Sequence, residues 1–336
     1  MQSKRIVVSR YGGPDVLQVI EERLPEPRPG EVRVKVLAAG VAWGDILRRE
    51  GWAGRGVQPP FTLGYDIVGS VDKLGEGVGT LQPGTMVAAL PLFGGYAEFI
   101  CLPASTVVQV PGGIDPAEAV CLVMNYVVAD QMLHRAARVK PGERILVHSA
   151  AGGVGTALLE LGRLAGLEIY ATASKNKHDR VASLGGIPID YRTENFMERV
   201  RGSTSGGVDA AFDPIGGTHI WGSYQSLSRC GRLVVYGAHT LATGSKFDLV
   251  SGLFLGAALK VIPDKKRVMS YTITRPAYSA PQWYRADLSK LFDLLGQGKL
   301  KPVVAQRIPL IEAAHAHRFL GMDAAIGKVV LMCNSD

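Results

Sequence analysis

The stretch His148-Ser149-Ala150-Ala151-Gly152-Gly153-Val154-Gly155 separates two runs of contrasting character. The run before it, Arg144–His148, is short with an apolar centre like a buried strand, and residues 156–165 after it have a helix-forming composition. A strand, a glycine-rich turn and a helix in this order are typical of the loop that binds the pyrophosphate of a dinucleotide. Gly152 leaves room for the pyrophosphate and Gly155 for close helix packing, so we expect residues 151–155 to contact a dinucleotide.

Five further strand-like runs follow this turn, and helix-like segments separate them. The alternation predicts a parallel sheet with helices on its faces, and six strands match the doubly wound Rossmann fold. The five runs cover residues 168–172, 187–190, 208–213, 232–236 and 267–273.

The residues up to about 123 have a different pattern, because short runs of alternating apolar residues, such as 31–37 and 66–74, are separated by Gly and Pro. Half-buried antiparallel strands have this pattern, which predicts a β-rich domain. Residues 276–336 return to helix, strand, helix and strand, and we expect them to complete that domain. The predicted fold class is therefore α/β, with a β-rich domain at 1–123 plus 276–336 and a Rossmann domain at 124–275.

The composition is that of a folded protein with two domains. The chain has 336 residues, more than one hydrophobic core usually supports, and its 47% apolar and 20% charged residues exclude disorder. The net charge of +7 is spread along the chain without a basic stripe, so we expect no nucleic-acid partner. The longest apolar run, Val250–Leu259, is too short to span a bilayer, and no signal-peptide core opens the sequence. We expect a cytoplasmic protein.

The residues after the second strand-like run indicate which dinucleotide is bound. The run ends at Ala171–Ser174 without the acidic residue that binds the ribose 2′-hydroxyl of NAD. Ser174 and Lys177 offer a hydroxyl and a cation instead, which favours NADPH and its 2′-phosphate. The alternative is an ordinary solvated helix start. Tyr191, after the third run, is placed to flank the adenine or to reach the same phosphate.

Three segments, Val147–Gly155, Asp213–Gly217 and Gly231–Gly237, resemble the medium-chain dehydrogenase/reductase superfamily. Within it the chain is similar, from Tyr11–Leu17 to Gly327–Leu331, to the zinc-independent quinone oxidoreductase branch, which includes zeta-crystallin and the vesicle amine transport protein 1 group. The resemblance implies a GroES-like catalytic domain, a Rossmann domain that binds NADPH, and a homodimer.

The zinc-binding members of that superfamily have ligands that this chain lacks. They carry a cysteine near the position of Trp43 and a Gly-His-Glu where this chain has Gly64-Tyr65-Asp66. They also carry a lobe of four closely spaced cysteines, whereas the four cysteines here are far apart. The resemblance therefore implies that no metal is bound and that hydride transfer depends on positioning and hydrogen bonding.

The candidate catalytic residues also come from the resemblance. The branch commonly has an asparagine beside the nicotinamide, and Ala42, which offers no side-chain hydrogen bond, stands in this segment, where Trp43 is placed to fill the space. We predict that the Tyr65 hydroxyl donates to a substrate carbonyl, with Asp45 or Asp66 orienting its neighbours. The alternative is that Tyr65 is a packed aromatic residue and Asp66 the partner in an ion pair.

Further cofactor contacts are implied by position within the resemblance. They are Asn125, Gly237, Ala238, His239 and Lys328. Lys328 matches a superfamily cation near the cofactor phosphates and near the acid matched by Asp66, whereas His239 has the alternative of an ordinary surface-loop histidine. His315 and His317 are two apart on a predicted helix and cannot face one ligand, so we expect both to be solvated.

These features favour an NADPH-dependent reductase that passes hydride to a quinone or to the β-carbon of an α,β-unsaturated carbonyl. Tyr65 or a backbone N–H would stabilise the oxyanion that forms. Two alternatives stay open: an enoyl-thioester reductase, and a nucleotide-binding protein with little catalytic activity, which Ala42 favours. The expected partners are a small substrate and a second copy of the chain, paired through the strand 267–273.

Overall fold

The computed structural model of the chain describes residues 2–52, 57–237, 239–240, 246–259, 261–274, 279–322 and 324–333. The chain divides into two units, which are Met1–Val127 with Arg275–Asp336 and Val128–Thr274. We call the first the β unit and the second the parallel unit. No helix among the described residues is long and apolar enough to cross a membrane.

The β unit is built on two sheets in which most neighbouring strands are antiparallel. Its strands are β1 (Gln2–Val8), β2 (Leu17–Arg23), β3 (Glu31–Val41), β4 (Phe61–Thr62), β5 (Ile67–Leu74), β6 (Met86–Ala89), β7 (Phe99–Pro103), β8 (Val108–Gln109), β15 (Val304–Pro309) and β16 (Lys328–Met332). The smaller sheet has the order β2-β1-β4, and the larger has the order β15-β16-β3-β5-β6-β8 with β7 paired to β3. The pair β15 and β16 is parallel, and it joins the larger sheet through β3.

Strand β3 is the centre of this unit, because it pairs with β5, β7 and β16. Its valines Val32, Val34 and Val36 are fully buried and belong to the main hydrophobic core of the unit. Burial of a valine side chain stabilises a fold by roughly 1.5–3 kcal/mol. The returning segment therefore completes the β-rich core around a strand that lies near the start of the chain.

Four helices of the β unit matter for the site. They are α1 (Trp43–Arg49), α2 (Pro116–Cys121), α9 (Pro281–Gly296) and α10 (Ala313–Gly321). Helix α2 begins where the Asp115 carboxylate accepts hydrogen bonds of 3.0 Å from the amides of Ala117 and Glu118, with Pro116 in the first helical turn. The chain then continues as a π-helical turn, Leu122–Tyr126, before α3 (Val127–Gln131).

The parallel unit contains one sheet of six strands, all parallel, in the order β11-β10-β9-β12-β13-β14. The strands are β9 (Arg144–Val147), β10 (Glu168–Ala173), β11 (Gly186–Asp190), β12 (Val208–Asp213), β13 (Leu227–Val235) and β14 (Arg267–Ser270). The helices that connect them are α4 (Gly153–Leu164), α5 (His178–Ser183), α6 (Phe196–Ser203), α7 (His219–Gln225) and α8 (Lys246–Leu259). The predicted α/β class with a doubly wound parallel sheet is confirmed.

Two strand boundaries of the parallel sheet differ from the sequence prediction by more than one residue. Strand β13 begins at Leu227, five residues before the predicted Arg232, because Leu227 is buried and pairs with Val208. Strand β14 ends at Ser270, three residues before the predicted Ile273. The apolar pattern located both strands, and pairing with the neighbouring strand set where each begins and ends.

Candidate functional site

The loops that follow β9 to β13 lie at one edge of the parallel sheet, because all of these strands run in the same direction. The structure thereby brings together most of the predicted cofactor residues on one unit. They are Ala151, Gly152, Gly153, Val154 and Gly155 after β9, Ser174 and Lys177 after β10, Tyr191 after β11, and Gly237 and His239 after β13. Ala238 lies outside the described residues.

The glycine-rich turn after β9 has the geometry that its sequence predicts. Ser149 adopts a left-handed backbone conformation, with φ of 51°, and α4 begins at Gly153. A side chain at Gly155 would collide with the Ser149 carbonyl and the Ala150 backbone, whereas Gly152 has a single neighbouring atom, the Ser149 carbonyl oxygen at 3.3 Å. Gly155 therefore allows α4 to pack closely against the turn, which directs the helix N-terminus to the edge where an anion would bind.

Ser174 and Lys177 occupy the turn after β10, where the Lys177 amide donates to the Ser174 carbonyl over 2.9 Å. Both side chains are buried, whereas Lys175 between them is exposed. The alternative of an ordinary solvated lysine thus describes Lys175 but not Lys177. Tyr191 is 49% exposed after β11, so its ring has a face that a ligand could cover.

The turn after β13 packs against the turn after β12. A side chain at Gly237 would collide with the Pro214 backbone, and the His239 amide donates to the Pro214 carbonyl over 3.2 Å. Asp213 organises this region, because its Oδ1 accepts hydrogen bonds from the amides of Ile215 at 2.7 Å and Gly216 at 3.1 Å. The backbone groups predicted to face a carboxamide therefore belong to two mutually supporting turns.

A cluster of titratable side chains at the same edge was not predicted from the sequence. His148, Asp213 and His219 bring their donor atoms within 4.8 Å of one another. Ser223 joins them, since its hydroxyl donates to Asp213 over 2.6 Å and lies 3.1 Å from His148 Nε2. Because β9 and β12 are neighbours in a doubly wound sheet, the position of His148 and Asp213 at the ends of these strands could have revealed the pair.

In the β unit, Asp45 is fully buried on α1 and holds two backbone segments. Its carboxylate accepts hydrogen bonds from the Ala42 amide at 3.0 Å and the Gly64 amide at 3.1 Å. Burial raises the pKa of Asp45 to about 6, although these two hydrogen bonds oppose the rise. Asp45 thus holds the backbone immediately before Trp43 and immediately before Tyr65.

His317 continues this hydrogen-bond network, contrary to the expectation that it is solvated. It is 1% exposed, because it lies on the buried face of α10 with Ala313 and Ala316, whereas His315 is exposed as expected. Its Nδ1 lies 3.0 Å from an Arg49 nitrogen, and its Nε2 lies 3.2 Å from the Tyr96 hydroxyl.

The direction of each hydrogen bond in this network follows from the donors. An arginine only donates, so His317 accepts at Nδ1 and carries its proton on Nε2. The Nε2–H donates to the Tyr96 oxygen, and the Tyr96 hydroxyl donates to Asp45 over 3.2 Å. Burial, together with the charge of Arg49, lowers the pKa of His317 to about 3, so the ring is neutral at pH 7.

Tyr65 lies directly beyond the Gly64 amide that Asp45 holds. The Arg48 guanidinium stacks between the rings of Tyr65 and Phe93, 3.9 Å from each centroid, and one of its nitrogens donates to the Leu92 carbonyl. A side chain at Gly44 would occupy the space next to the Tyr65 hydroxyl. Burial raises the pKa of Tyr65 to about 12, so the phenol is protonated at neutral pH and is able to donate a hydrogen bond.

Asp66 and Lys328 form a buried ion pair with 2.8 Å between the carboxylate and the ammonium. Burial raises the pKa of Asp66, and the Lys328 charge opposes that rise. A side chain at Gly40 would collide with both partners. Asp66 therefore has the surroundings of the ion-pair alternative. Asn125, a predicted cofactor contact, lies on the π-helical turn and is also buried in the β unit.

The comparisons with known proteins cover nearly the whole chain. Residues 28–112 match the alcohol dehydrogenase GroES-like domain and residues 186–331 match the zinc-binding dehydrogenase family. The synaptic vesicle membrane protein VAT-1 homolog of Danio rerio is 31% identical over 340 residues, which are 98% of this chain and 69% of the relative. The 2-haloacrylate reductase of a Burkholderia species is 32% identical over 338 residues, which are 97% of this chain and 98% of the relative.

A solved structure extends the likeness to the fold. The crystal structure of Escherichia coli quinone oxidoreductase complexed with NADPH superposes with a TM-score of 0.89 at 26% identity, and the match covers 98% of this chain and 99% of that one. The GroES-like and Rossmann-type architecture predicted from the sequence is confirmed by this likeness.

The neutral His317 generates a prediction about pH. In the unfolded chain its pKa is near 6.5, above the folded value of about 3, so the unfolded state binds more protons between these values. We expect the free energy of unfolding of the wild type to fall, relative to that of His317→Gln, by up to about 1.4 kcal/mol per pH unit as the pH drops below 6.5.

Urea unfolding of both proteins between pH 7 and pH 4 measures this difference. Asp45 contributes the opposite slope, because its pKa is raised to about 6 from 3.8, and it is linked to His317 through Tyr96, so the same comparison is made in an Asp45→Asn background to remove its contribution. Parallel curves for the two proteins would show that His317 is not held neutral.

Proposed function

Because this chain belongs to the medium-chain dehydrogenase/reductase superfamily and is similar to its quinone oxidoreductases along nearly its whole length, we propose that it is an NADPH-dependent, zinc-independent reductase. The acceptor is a quinone or the β-carbon of an α,β-unsaturated carbonyl. The observation that carries the proposal is the glycine-rich turn 149–155 leading into α4 at the carboxyl edge of the parallel sheet.

The residues at this edge suit NADPH. The space left at Gly152 and the N-terminus of α4 favour a pyrophosphate, and Ser174 with Lys177 suits a 2′-phosphate that carries about −1.5 to −2 charges. The Gly237 backbone and the His239 carbonyl are the groups on offer to the carboxamide, since the His239 amide donates to Pro214, and the exposed ring of Tyr191 can cover the adenine. When bound, NADPH supplies the hydride for the acceptor.

Tyr65 is the residue that we assign to the substrate oxygen. Its phenol keeps its proton because burial raises the pKa to about 12, and it therefore donates a hydrogen bond rather than carrying a competing negative charge. Stacking on Arg48 fixes its ring, and Asp45 fixes the backbone immediately before it through the Gly64 amide. Asp45 itself acts indirectly, since its carboxylate is occupied by Ala42, Gly64 and Tyr96.

The surroundings of Asp66 support zinc independence. Zinc-binding relatives have a ligand at the position of Tyr65 and an acid at that of Asp66, whereas here the phenol is a poor metal ligand and the acid is bound to the Lys328 ammonium. A carboxylate that compensates a buried cation is costly to recruit to a metal, because the cation would lose its partner. The resemblance assigns Lys328 to the cofactor phosphates, and that role stays a prediction.

Replacing the Tyr65 hydroxyl tests the catalytic assignment. We expect Tyr65→Phe to lower kcat with 9,10-phenanthrenequinone or an enone on the order of 10²-fold, which is the usual cost of removing one oxyanion donor. The Kd for NADPH should stay unchanged, and Tyr170→Phe, which removes a hydroxyl bound to Glu168, is the matched control. Full turnover by Tyr65→Phe would remove Tyr65 from the mechanism.

Cofactor preference tests the assignment of the 2′-phosphate. A hydrogen bond to a charged group contributes about 1.5 to 3 kcal/mol, so Lys177→Ala should weaken NADPH binding by roughly 10- to 100-fold and leave NADH binding unchanged. The double variant with Ser174→Ala should lose more, and the exposed Lys175→Ala is the control. Fluorescence titration of both cofactors measures this; equal losses for NADH and NADPH would contradict the assignment.

We also propose a homodimer formed through the edge of the parallel sheet. Strand β14 stands at the end of the strand order with β13 as its neighbour among the described residues, and proteins usually cover such an edge. Light scattering should give about twice the chain mass of 35.9 kDa. A mass of one chain at every concentration would rule the dimer out.

A further inference from the structure

We propose that His148, Asp213 and His219 bind one zinc-type divalent ion, at a site distinct from the zinc positions of the zinc-binding dehydrogenases. The three side chains already place their donor atoms within 4.8 Å of one another. Two histidines and one carboxylate, with a water molecule in the fourth position, are a ligand set that zinc commonly takes in proteins. The proposal revises the expectation from the sequence that the chain binds no metal.

The fold brings the three ligands together from neighbouring elements. His148 follows β9 and Asp213 ends the adjacent strand β12, while His219 begins α7 six residues later. His219 Nδ1 lies 2.9 Å from Asp213 Oδ2. The ring centroids of His148 and His219 are 4.5 Å apart, and the two ring planes make an angle of 84°. The ligands therefore sit at the ends of two adjacent strands and at a helix start, which hold their backbones in place.

Hydrogen bonds to Asp213 Oδ1 orient the Asp213 carboxylate as a metal ligand. Asp213 Oδ1 accepts the two backbone amides of Ile215 and Gly216, so Oδ2 is the oxygen that faces the histidines. Thr172 Oγ1 lies 3.1 Å from His148 Nδ1 and can fix that ring from behind. Supporting hydrogen bonds of this kind are the usual companions of metal ligands.

The protons in the cluster can rearrange to free the donor atoms. Ser223 donates to Asp213, so it accepts from His148 Nε2–H, and His148 Nδ1 accepts from the Thr172 hydroxyl. When an ion binds Nε2, the ring carries its proton on Nδ1 and donates to Thr172, whose hydroxyl can also accept. His219 Nδ1–H donates to the Asp213 Oδ2 carboxylate oxygen over 2.9 Å, so the His219 proton moves to Nε2 when Nδ1 binds the ion.

The cluster has a buried side and an accessible side. His148 and Asp213 are buried, whereas the His219 side chain is 28% exposed and is the side from which an ion and its water would arrive. Tetrahedral zinc requires donors about 3.3 Å apart, and the three donor atoms lie within 4.8 Å of one another, so ion binding has to draw them closer by at most about 1.5 Å. Phe196 packs against both imidazole rings and keeps this region apolar.

The test uses the full chain, treated with a chelator and dialysed, with Co²⁺ as a spectroscopic probe. We expect one equivalent of Co²⁺ to give the visible absorption of a low-coordinate nitrogen and oxygen site, and Zn²⁺ to abolish that absorption by competition. Zn²⁺ should also raise the Tm. These readouts are independent of reductase activity, so they stand whether or not the proposed function is correct.

Removal of the exposed ligand distinguishes this site from adventitious binding. His219→Ala should weaken Co²⁺ binding by at least about 100-fold, more than a supporting residue usually costs. His315→Ala, which removes an exposed histidine from α10, should bind as the wild type does. The proposal is overturned if the wild type binds no Co²⁺ at stoichiometric concentrations, or if His219→Ala binds it with unchanged affinity and spectrum.

Discussion

One buried ion pair connects the three central strands of the β unit. Lys328 begins β16, Asp66 immediately precedes β5, and Gly40 lies on β3 between them. The charges are 2.8 Å apart and out of contact with solvent, and the absence of a side chain at Gly40 leaves the space for them. Losing either partner would leave a buried charge uncompensated, at a cost of about 3–5 kcal/mol. Tyr65 immediately precedes Asp66 in the chain, so the pair anchors the backbone directly after Tyr65.

Two other buried carboxylates, one in each unit, hold loops in place by accepting hydrogen bonds from backbone amides. Asp45 accepts the amides of Ala42 and Gly64, and Asp213 accepts those of Ile215 and Gly216. In both cases one charged group satisfies two backbone donors that lie outside regular secondary structure. The loops that carry the candidate functional groups are therefore fixed by buried acids, and Asp45, Asp66 and Asp213, the most buried acids among the residues that the structure describes, all adjoin the proposed sites.

The sequence was sufficient for the parts of the fold that depend on local patterns. Apolar runs located all six parallel strands, and the glycines of 152–155 located the turn into α4, because each signal is contained in a few adjacent residues. The prediction that His317 is solvated was wrong. It used only the spacing of two residues from His315, whereas the burial of His317 depends on Tyr96 and Arg49, which are distant in sequence. The cluster around Asp213 was missed for the same reason: its members meet only when β9 and β12 pair.

The hydrogen-bond chain from Arg49 through His317 and Tyr96 to Asp45 has a direction, since each member donates to the next. A single substitution that reverses one of these hydrogen bonds leaves two donors, or two acceptors, facing each other at the next hydrogen bond of the chain. Changes at these positions are therefore expected to be epistatic, with a residue tolerated at one place only after a matching change at its neighbour. Related chains that differ here should differ at two or more of these positions together, and transplanting one of them alone should carry a larger penalty than transplanting the set.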